Sequence, residues 1–509
     1  MPFQGVEVRA IAKPRALPWA DMFRPLRGKK IATSKLALRA KNGGTHMLNR
    51  RDAMLRMGQV GVGGLTLPSL LQAQTHPGTH ASDSPTGSRR AKSCILLYLW
   101  GGPPQQDMWD MKPDAPTGIK SAFAPIQTNV NGIQLCEHLP RLAQHADKLA
   151  LVRSVTHPSN NHEPSVYYTL TGKVNNTLAV PRNQRNRRDF PNIGSMVSAL
   201  TPPGPMPASV TIPRPIGHGG VTYSGTYSGW LGPRHDPMEI REAPSANERY
   251  ATPVELPSDL STTRLQARRG LLNVIDDTER TFQNGRASEG LTGFHEQAYR
   301  MLTSSQARHA FRVDQEPSWQ RDRYGRNEYG ESFLLARRLI EADVRLVSVI
   351  WLYVAPSGTV SNVWDTHGGV GIPHGQTGWS MLLAPYCLPP LDQAYSALLE
   401  DLHQRGLLDD TLVVAMGEFG RTPRINPQQG REHWGACSTT VLAGGGVRGG
   451  QVYGKSDRIA AYPTENPVSP EDILATMYHA LGIRPDSEVH DREGRPQRIC
   501  DGRVVTALF

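Results

Sequence analysis

DDTLVVAMGEFGRTP, residues 409–423, joins an apolar run to a polar turn and decides the fold class of this chain. The run at 412–416 contains no polar residue, and Glu418 follows it between Gly417 and Gly420. A continuous apolar run is typical of a strand that is covered on both faces, as in a parallel sheet. Ligands bind beyond the carboxyl ends of such strands. The stretch therefore predicts a buried strand that delivers a carboxylate to a binding edge.

Four further apolar runs predict strands of the same sheet. They are CILLYLW (94–100), LALVRSV (149–155), VRLVSVIWLY (344–353) and STTVLAGG (438–445). The i, i+3, i+4 apolar spacing of helices is found at 329–343, 389–406 and 469–482. This alternation predicts an α/β fold with a largely parallel central sheet and helices on both faces. The segment 201–325 has a Pro- and Gly-rich start and a charged helical middle, and it is predicted to be an insertion or cap.

The positive charge of the chain is confined to its first residues. The chain of 509 residues has a net charge of +10. Residues 1–51 contain 12 Lys or Arg and 2 Asp or Glu, which leaves 44 basic and 44 acidic residues in the remainder. Because the folded part is neutral overall, the composition does not indicate a nucleic-acid partner.

Residues 1–92 are predicted to be a basic leader, a Tat-type signal and a polar linker, with the folded domain at 93–509. Arg50 and Arg51 precede a weakly apolar, Gly-rich stretch, which matches a Tat export signal. The alternative is a disordered basic tail with a chance arginine pair. Export would place the protein in the periplasm or outside the cell and make the Tat machinery a partner. No stretch is apolar for long enough to predict a stable membrane span.

Polar segments follow the predicted strands. Carboxylates and imidazoles that meet at one edge of a sheet are suited to a hard or borderline divalent cation. The candidates are Asp107 or Asp110 after the first strand; His157, His162 and Glu163 after the second; Asp365 and His367 after the third; Glu418 and Arg421 after the fourth; and His433 beyond them.

Each candidate also has a structural explanation. Asp107 or Asp110 could cap a turn, and His162 could cap the helix that follows it. Asp365 and His367 could hydrogen-bond a Gly-rich loop. Glu418 could pair with Arg421, and His433 could be a partly buried histidine. The joint pattern at successive strand ends nevertheless favours one shared site.

Two segments resemble the sulfatase and alkaline phosphatase superfamily. Residues 389–420 resemble its helix and the strand that ends in Ser-Asp-His-Gly, which implies that Glu418 replaces a metal-binding Asp and Phe419 a His ligand. HEPSVYYTLTG (162–172) resembles the sulfatase nucleophile segment C-x-P-S-R-x-x-x-x-T-G, with His162 at the nucleophile position and Val166 in place of the Arg. No cysteine lies there, so the resemblance does not imply formylglycine chemistry.

A second resemblance covers residues 48–509. The segments that carry it are LWGGPPQQDMWDMKPDAP (99–116), WDTHG (364–368), GEFGRTPRIN (417–426), GREHW (430–434) and AGGGVRGGQVYGKSD (443–457). They are similar to those of a bacterial family called domain of unknown function 1501, which also has a Tat-like leader. The resemblance implies an alkaline phosphatase-like fold and leaves the substrate open.

These resemblances imply an exported metal-dependent hydrolase of phosphate or sulfate esters, with a small-molecule or glycan substrate. One or two divalent metal ions (Zn, Mn or Ca) would be held by Asp107, Asp365, His367, Glu418 and His433. Arg421 and Arg431 would pair with the anionic group, and His162 would be a nucleophile, a base or a further ligand. The alternative is an inactive member that binds sulfated or phosphorylated glycans at the cell surface, which the departures at Phe419, His162 and Val166 support.

Overall fold

The computed structural model describes residues 91–175, 186–218, 221–240, 260–261, 263–270, 287–355, 359–369 and 376–509. The predicted leader, Tat-type signal and nearly all of the linker lie outside the described residues. Within them, no helix has both the length and the apolar character that a membrane span requires.

In the described residues, eight strands form the central sheet. They are β1 (Ser93–Leu99), β2 (Leu149–Val155), β3 (Ser209–Ile212), β4 (Met238–Glu239), β5 (Leu346–Trp351), β6 (Thr411–Met416), β7 (Ser438–Ala443) and β8 (Gln451–Tyr453). Their order is β8-β2-β7-β6-β1-β5-β3-β4. β7 runs antiparallel to β6 and β2, whereas the other neighbouring strands pair in parallel. The prediction of a largely parallel sheet is therefore confirmed.

Helices connect these strands. They are α1 (Gln105–Met108), α2 (Pro140–Ala143), α3 (His162–Thr171), α4 (Ile193–Leu200), α5 (Ala287–Thr303), α6 (Ser305–Ala310), α7 (Ser318–Tyr324), α8 (Glu328–Glu341), α9 (Gly378–Leu382), α10 (Leu388–Gln404) and α11 (Pro470–Ala480). The three predicted helices are confirmed as α8, α10 and α11. At the start of α11, the Ser469 side chain accepts a hydrogen bond from the Asp472 backbone and forms a capping box with that residue.

Helices cover both faces of the sheet, as β1 at its centre makes clear. Successive side chains of a strand point to opposite faces. Ile95, Leu97 and Leu99 accordingly pack in one apolar cluster, to which α8 and α10 contribute. Cys94, Leu96 and Tyr98 pack in a second cluster with residues of α3, α4 and α11. An apolar residue is needed at every position of β1, which explains its continuous apolar sequence.

Short two-stranded ribbons complete the architecture. They pair Pro125–Gln127 with Gln134–Cys136, Gly217–His218 with Val221–Thr222, Tyr353–Val354 with Val360–Ser361, Gly420–Arg421 with His433–Trp434, Lys455–Ser456 with Pro463–Glu465, and Glu488–His490 with Pro496–Arg498. The ribbon that contains Arg421 and His433 lies directly after β6 in the chain.

The segment 201–325, interpreted above as an insertion or cap, contributes β3 and β4 to the central sheet. Val210 and Ile212 of β3 pair with Val347 and Val349 of β5. The four-residue strand SVTI ends at Ile212, directly before Pro213, and so short an apolar run gives little sequence signal for a strand. These two strands therefore belong to the main fold.

Candidate metal centre

The sheet brings four distant chain segments to one edge. β1, β5 and β6 are mutually parallel, and β2 has the same direction because β7 runs antiparallel to both β2 and β6. Their carboxyl ends therefore lie at the same edge of the sheet. Gly101, His162, Asp365 and Glu418 follow these four ends in the chain. This is the edge at which the sequence predicted a shared site.

Asp365 is the centre of a cluster of three histidines. Its Oδ1 atom lies 2.7 Å from Nε2 of His367 and 3.0 Å from Nε2 of His433. Its Oδ2 atom lies 3.2 Å from Nε2 of His162. The Nε2 atoms of His367 and His433 are themselves 3.0 Å apart. Three imidazoles thus direct the same ring atom toward one carboxylate.

The other ring nitrogen of each histidine faces an oxygen that can only accept a hydrogen bond. The pairs are His162 with Glu418 at 2.7 Å, His367 with Glu432 at 2.8 Å, and His433 with the Asn160 carbonyl at 2.9 Å. Each Nδ1 atom must therefore carry the proton, since an ionised carboxylate and a carbonyl have none to give. When Nε2 also carries a proton it donates to Asp365, and when that proton is absent its lone pair is free, as metal binding requires.

Three members of this cluster, His162, Asp365 and His433, could hold a divalent metal ion. Three lone pairs and a carboxylate that face one another repel unless a cation, either a proton or a metal, lies among them. The ligand atoms of His162, Asp365 and His433 all lie within 4.8 Å of one another. Tetrahedral zinc with bonds of about 2.0–2.1 Å separates its ligand atoms by about 3.3 Å. Imidazole ligands favour zinc or another transition metal over calcium, which prefers oxygen ligands.

The charges around the cluster maintain Asp365 as a carboxylate. Burial alone would raise the pKa of Asp365, but the Arg421 guanidinium and the hydrogen bonds from the histidines hold that pKa well below its usual range. Arg421 Nη2 lies 2.7 Å from Oδ1 of Asp365. Asn362 Nδ2 donates a hydrogen bond of 3.1 Å to Oδ2 of the same carboxylate. Asp365 is thus ionised over the pH range in which it would serve as a metal ligand.

The pKa values of His162 and His433 are shifted in opposite directions. Burial by itself would lower the pKa of His162, but the contacts with Asp365 and Glu418 outweigh it and raise the pKa to about 9. For His433 burial prevails and lowers the pKa. Without a metal, a proton on His162 therefore supplies positive charge between two carboxylates.

The stability of the metal-free protein should depend on His162. A folded pKa of about 9 lies above the value of about 6.5 that an unfolded chain has. The stabilisation is fully present below about pH 6.5 and is lost as the pH rises through 9. We expect the free-energy difference between the wild type and His162→Gln, measured by urea unfolding with chelator present, to shrink from about pH 6 to about pH 10. A constant or growing difference would contradict this assignment.

Glu418 is fully buried and orients His162. Its two oxygens accept hydrogen bonds of 2.9 and 3.1 Å from the Gly101 backbone N–H, and Oε1 also accepts from His162. His157 Nε2 lies 2.7 Å from the Glu418 carbonyl, and its Nδ1 accepts from the Ser159 backbone, so Nε2 is the donor. A carboxylate behind a ligating histidine fixes both its tautomer and its ring orientation. This geometry favours a supporting role for Glu418 over direct metal ligation.

The glycines that flank Glu418 allow the turn to approach neighbouring backbone. A Cβ atom on Gly417 would lie 2.9 Å from the Leu99 carbonyl oxygen. A Cβ atom on Gly420 would lie 2.2 Å from the Cys437 carbonyl oxygen. Side chains at these positions would force the turn outward and move Glu418 away from His162.

Gly101 has both a steric and a conformational reason to be glycine. Its φ is +123°, and a Cβ atom would lie 2.3 Å from the Asp365 backbone nitrogen. Gly118 also has a positive φ, +84°, but no heavy atom lies within 4 Å of a Cβ atom there. We expect Gly101→Ala to lower the free energy of unfolding by at least ~2 kcal/mol more than Gly118→Ala, whose backbone strain costs ~1–3 kcal/mol. Urea unfolding of both variants measures the difference, and equal losses would exclude the steric explanation.

Arg421 belongs to the cluster but is inaccessible to a substrate. Its side chain is fully buried. Besides Asp365, the guanidinium donates to the carbonyl oxygens of Gly102 and Arg431 at 2.8 and 2.9 Å, to that of Trp364 at 3.0 Å, and to that of Gly101. The hydrogen bonds of the Arg421 guanidinium therefore go to oxygens of the protein, and not to the anionic group of a substrate as predicted from the sequence.

Asp107 and Arg431 lie in a separate, closed ion pair. Arg431 Nε and Nη2 donate to the two oxygens of Asp107 at 2.8 and 3.0 Å, and both residues are 1% exposed. Asp110 is engaged elsewhere, with Lys112 at 2.9 Å and with the Ser456 hydroxyl. The structure therefore brings neither carboxylate to the histidine cluster, and it does not present Arg431 to a substrate.

Three further residues support the cluster although the sequence did not predict them: Asn160, Asn362 and Glu432. Asn160 and Glu432 lie within two segments that contain predicted site residues, SNNHEPS (159–165) and GREHWG (430–435). Asn160 acts through its backbone carbonyl, Glu432 through its contact with His367, and Asn362 through its hydrogen bond to Asp365. Residue types alone do not predict these contacts.

Solved structures to which the chain is similar include a sulfatase, a phosphonate monoester hydrolase and an alkaline phosphatase. The PsFucS1 sulfatase from Pseudoalteromonas sp. has 12% identity and a TM-score of 0.36, over 86% of this chain and 72% of its own. The phosphonate monoester hydrolase SpPMH from Silicibacter pomeroyi has 15% identity and a TM-score of 0.30, over 82% and 76%. The alkaline phosphatase from the Antarctic bacterium TAB5 has 9% identity and a TM-score of 0.32, over 78% and 99%.

Sequence comparison gives the family. No curated protein matches the chain in sequence. The family model described as protein of unknown function (DUF1501) matches residues 91–509, which include every described residue and most of the chain. This protein therefore belongs to the DUF1501 family.

Proposed function

We propose that the protein is an exported, metal-dependent hydrolase of phosphate or sulfate esters. The observation that carries the proposal is the convergence of three Nε2 atoms on Asp365 while each Nδ1 atom is anchored to an acceptor. The proposed ligands are His162, Asp365, His367 and His433. A divalent cation held by them would polarise a phosphoryl or sulfuryl oxygen of the substrate.

The remaining residues hold this ligand set in place. Glu418, Glu432 and the Asn160 carbonyl each fix the proton of one histidine on Nδ1. Arg421 keeps Asp365 ionised through its contact of 2.7 Å. Because these partners are supplied by the folded chain, the four ligands need little reorganisation when a cation binds.

The proposed role of His162 is that of a ligand. Its Nδ1 atom is engaged by Glu418 and its Nε2 atom faces Asp365, so both nitrogens have partners within the cluster. A nucleophile or base needs a nitrogen that is free to approach a substrate. Two carboxylates on either side of one imidazole support ligation better than attack.

The direct test is turnover of aryl phosphates and aryl sulfates by purified protein that has been reconstituted with a panel of divalent metals. We expect turnover that chelator abolishes and that Asp365→Asn lacks. Metal bound at the centre without turnover of any ester would contradict the hydrolase. Binding of sulfated glycans that survives both chelator and Asp365→Asn would instead favour the non-catalytic alternative.

Export through the Tat pathway is part of this proposal. Its support is the Arg50-Arg51 pair ahead of a weakly apolar stretch. The ligands come from segments between residues 162 and 433, so the centre exists only in the folded chain, and metal affinity is coupled to folding. Tat export of a folded protein would allow the ion to be loaded beforehand.

We expect Arg50→Lys/Arg51→Lys to prevent export, because the twin-arginine pair is what the Tat machinery reads. Cell fractionation followed by immunoblotting measures the exported share. The chain offers a matched control in Arg89→Lys/Arg90→Lys, which changes a second arginine pair outside the signal. Normal export of the first variant, or equal loss of export in both, would contradict the assignment.

A further inference from the structure

We propose that the centre takes a single divalent ion, because Arg421 provides a fixed second positive charge beside it. The inference rests on the proposed function and specifies its cofactor. Metal pairs in two-metal hydrolases lie about 3.5–4 Å apart and share or adjoin their ligands. A second ion would therefore need unoccupied donor atoms close to Asp365.

Arg421 takes one side of Asp365. Its Nη2 atom lies 2.7 Å from Oδ1, and the side chain is fully buried. Carbonyl oxygens of Gly101, Gly102 and Trp364 also accept from this guanidinium and fix its position. A divalent ion beside it would meet a permanent positive charge in a buried setting, where repulsion is strong.

Two other neighbours also lack a donor for a second ion. The Phe419 ring packs with centroid distances of 4.5 Å to His433 and 5.1 Å to His162, and it has no ligand atom. Both oxygens of Glu418 already accept the Gly101 N–H, and one also accepts His162. Around the cluster, a guanidinium, a phenyl ring and a carboxylate with both oxygens engaged thus occupy positions where a second ion would need free ligands.

The first experiment measures metal stoichiometry, with Zn²⁺ and Mn²⁺ added separately to chelator-treated protein. Isothermal titration and native mass spectrometry should give one ion per chain, lost in Asp365→Asn. Two ions per chain, both weakened by Asp365→Asn, would overturn the single-ion centre while leaving the proposed hydrolase intact. No bound ion at all would overturn the metal centre itself.

The second experiment tests the charge of Arg421. Arg421→Lys keeps the charge and Arg421→Met removes it, while both lose the hydrogen bonds of the guanidinium. If folded by circular dichroism, the Met variant should bind Zn²⁺ at least about tenfold more tightly than the Lys variant, since a repelling charge is gone. Equal or weaker binding by the Met variant would overturn the role of the charge. If the Met variant does not fold, the wild-type stoichiometry alone decides.

Discussion

Asp365→Asn is expected to lower metal affinity by at least about 10³-fold and to remove metal-dependent turnover. Loss of a single supporting residue behind a ligand typically costs about 10–100-fold, and Asp365 contacts all three histidines. The substitution also removes the negative charge that attracts the cation. Chelator competition and metal analysis of the purified variant measure the effect.

Asp114→Asn is the matched control for this experiment. Asp114 is an exposed aspartate on the loop after α1, so the same chemical change there should leave metal content unchanged. Asp365→Asn with the metal content of the wild type would show that the cluster does not hold the ion. Urea unfolding of both variants separates loss of metal from loss of fold.

Arg431→Met is expected to lower the free energy of unfolding by about 3–5 kcal/mol, because it leaves the Asp107 carboxylate buried without its partner. Both side chains are nearly inaccessible, and the pair forms two hydrogen bonds. Asp107→Leu/Arg431→Met removes both charges and should recover much of the loss. Urea unfolding of the three proteins measures these differences.

Arg484→Met provides the comparison for an exposed pair. Arg484 and Asp486 lie 2.7 Å apart, but their side chains are 71% and 50% exposed, so the loss should be at most about 1 kcal/mol. The folded fraction of Arg431→Met should bind metal as the wild type does. Loss of metal from well-folded Asp107→Leu would restore Asp107 as a candidate ligand.

Much of the fold could be predicted because it depends on local patterns. The apolar runs at β1, β2, β5, β6 and β7 indicated strands covered on both faces, and Ser469 marked the start of α11. β3 was missed because four residues give too short a pattern to separate a strand from a loop. Its place beside β5 depends on pairing with a partner more than one hundred residues away.

The sequence by itself determined which chain segments meet. Parallel strands have their carboxyl ends at one edge, so the residues that follow β2, β5 and β6 were expected to lie there. His162, Asp365 and Glu418 could be selected on that ground alone. The order of apolar and polar residues along the chain contains this information.

Only the tertiary structure decided what each side chain does at that edge. It placed Glu418 behind His162, joined Asp107 to Arg431, and directed the Arg421 guanidinium at Asp365. A hydrogen bond depends on distances of a few tenths of an ångström between particular atoms. Residue types and their spacing do not specify such distances, because these are set by the packing of segments that lie between 56 and 324 residues apart in the chain.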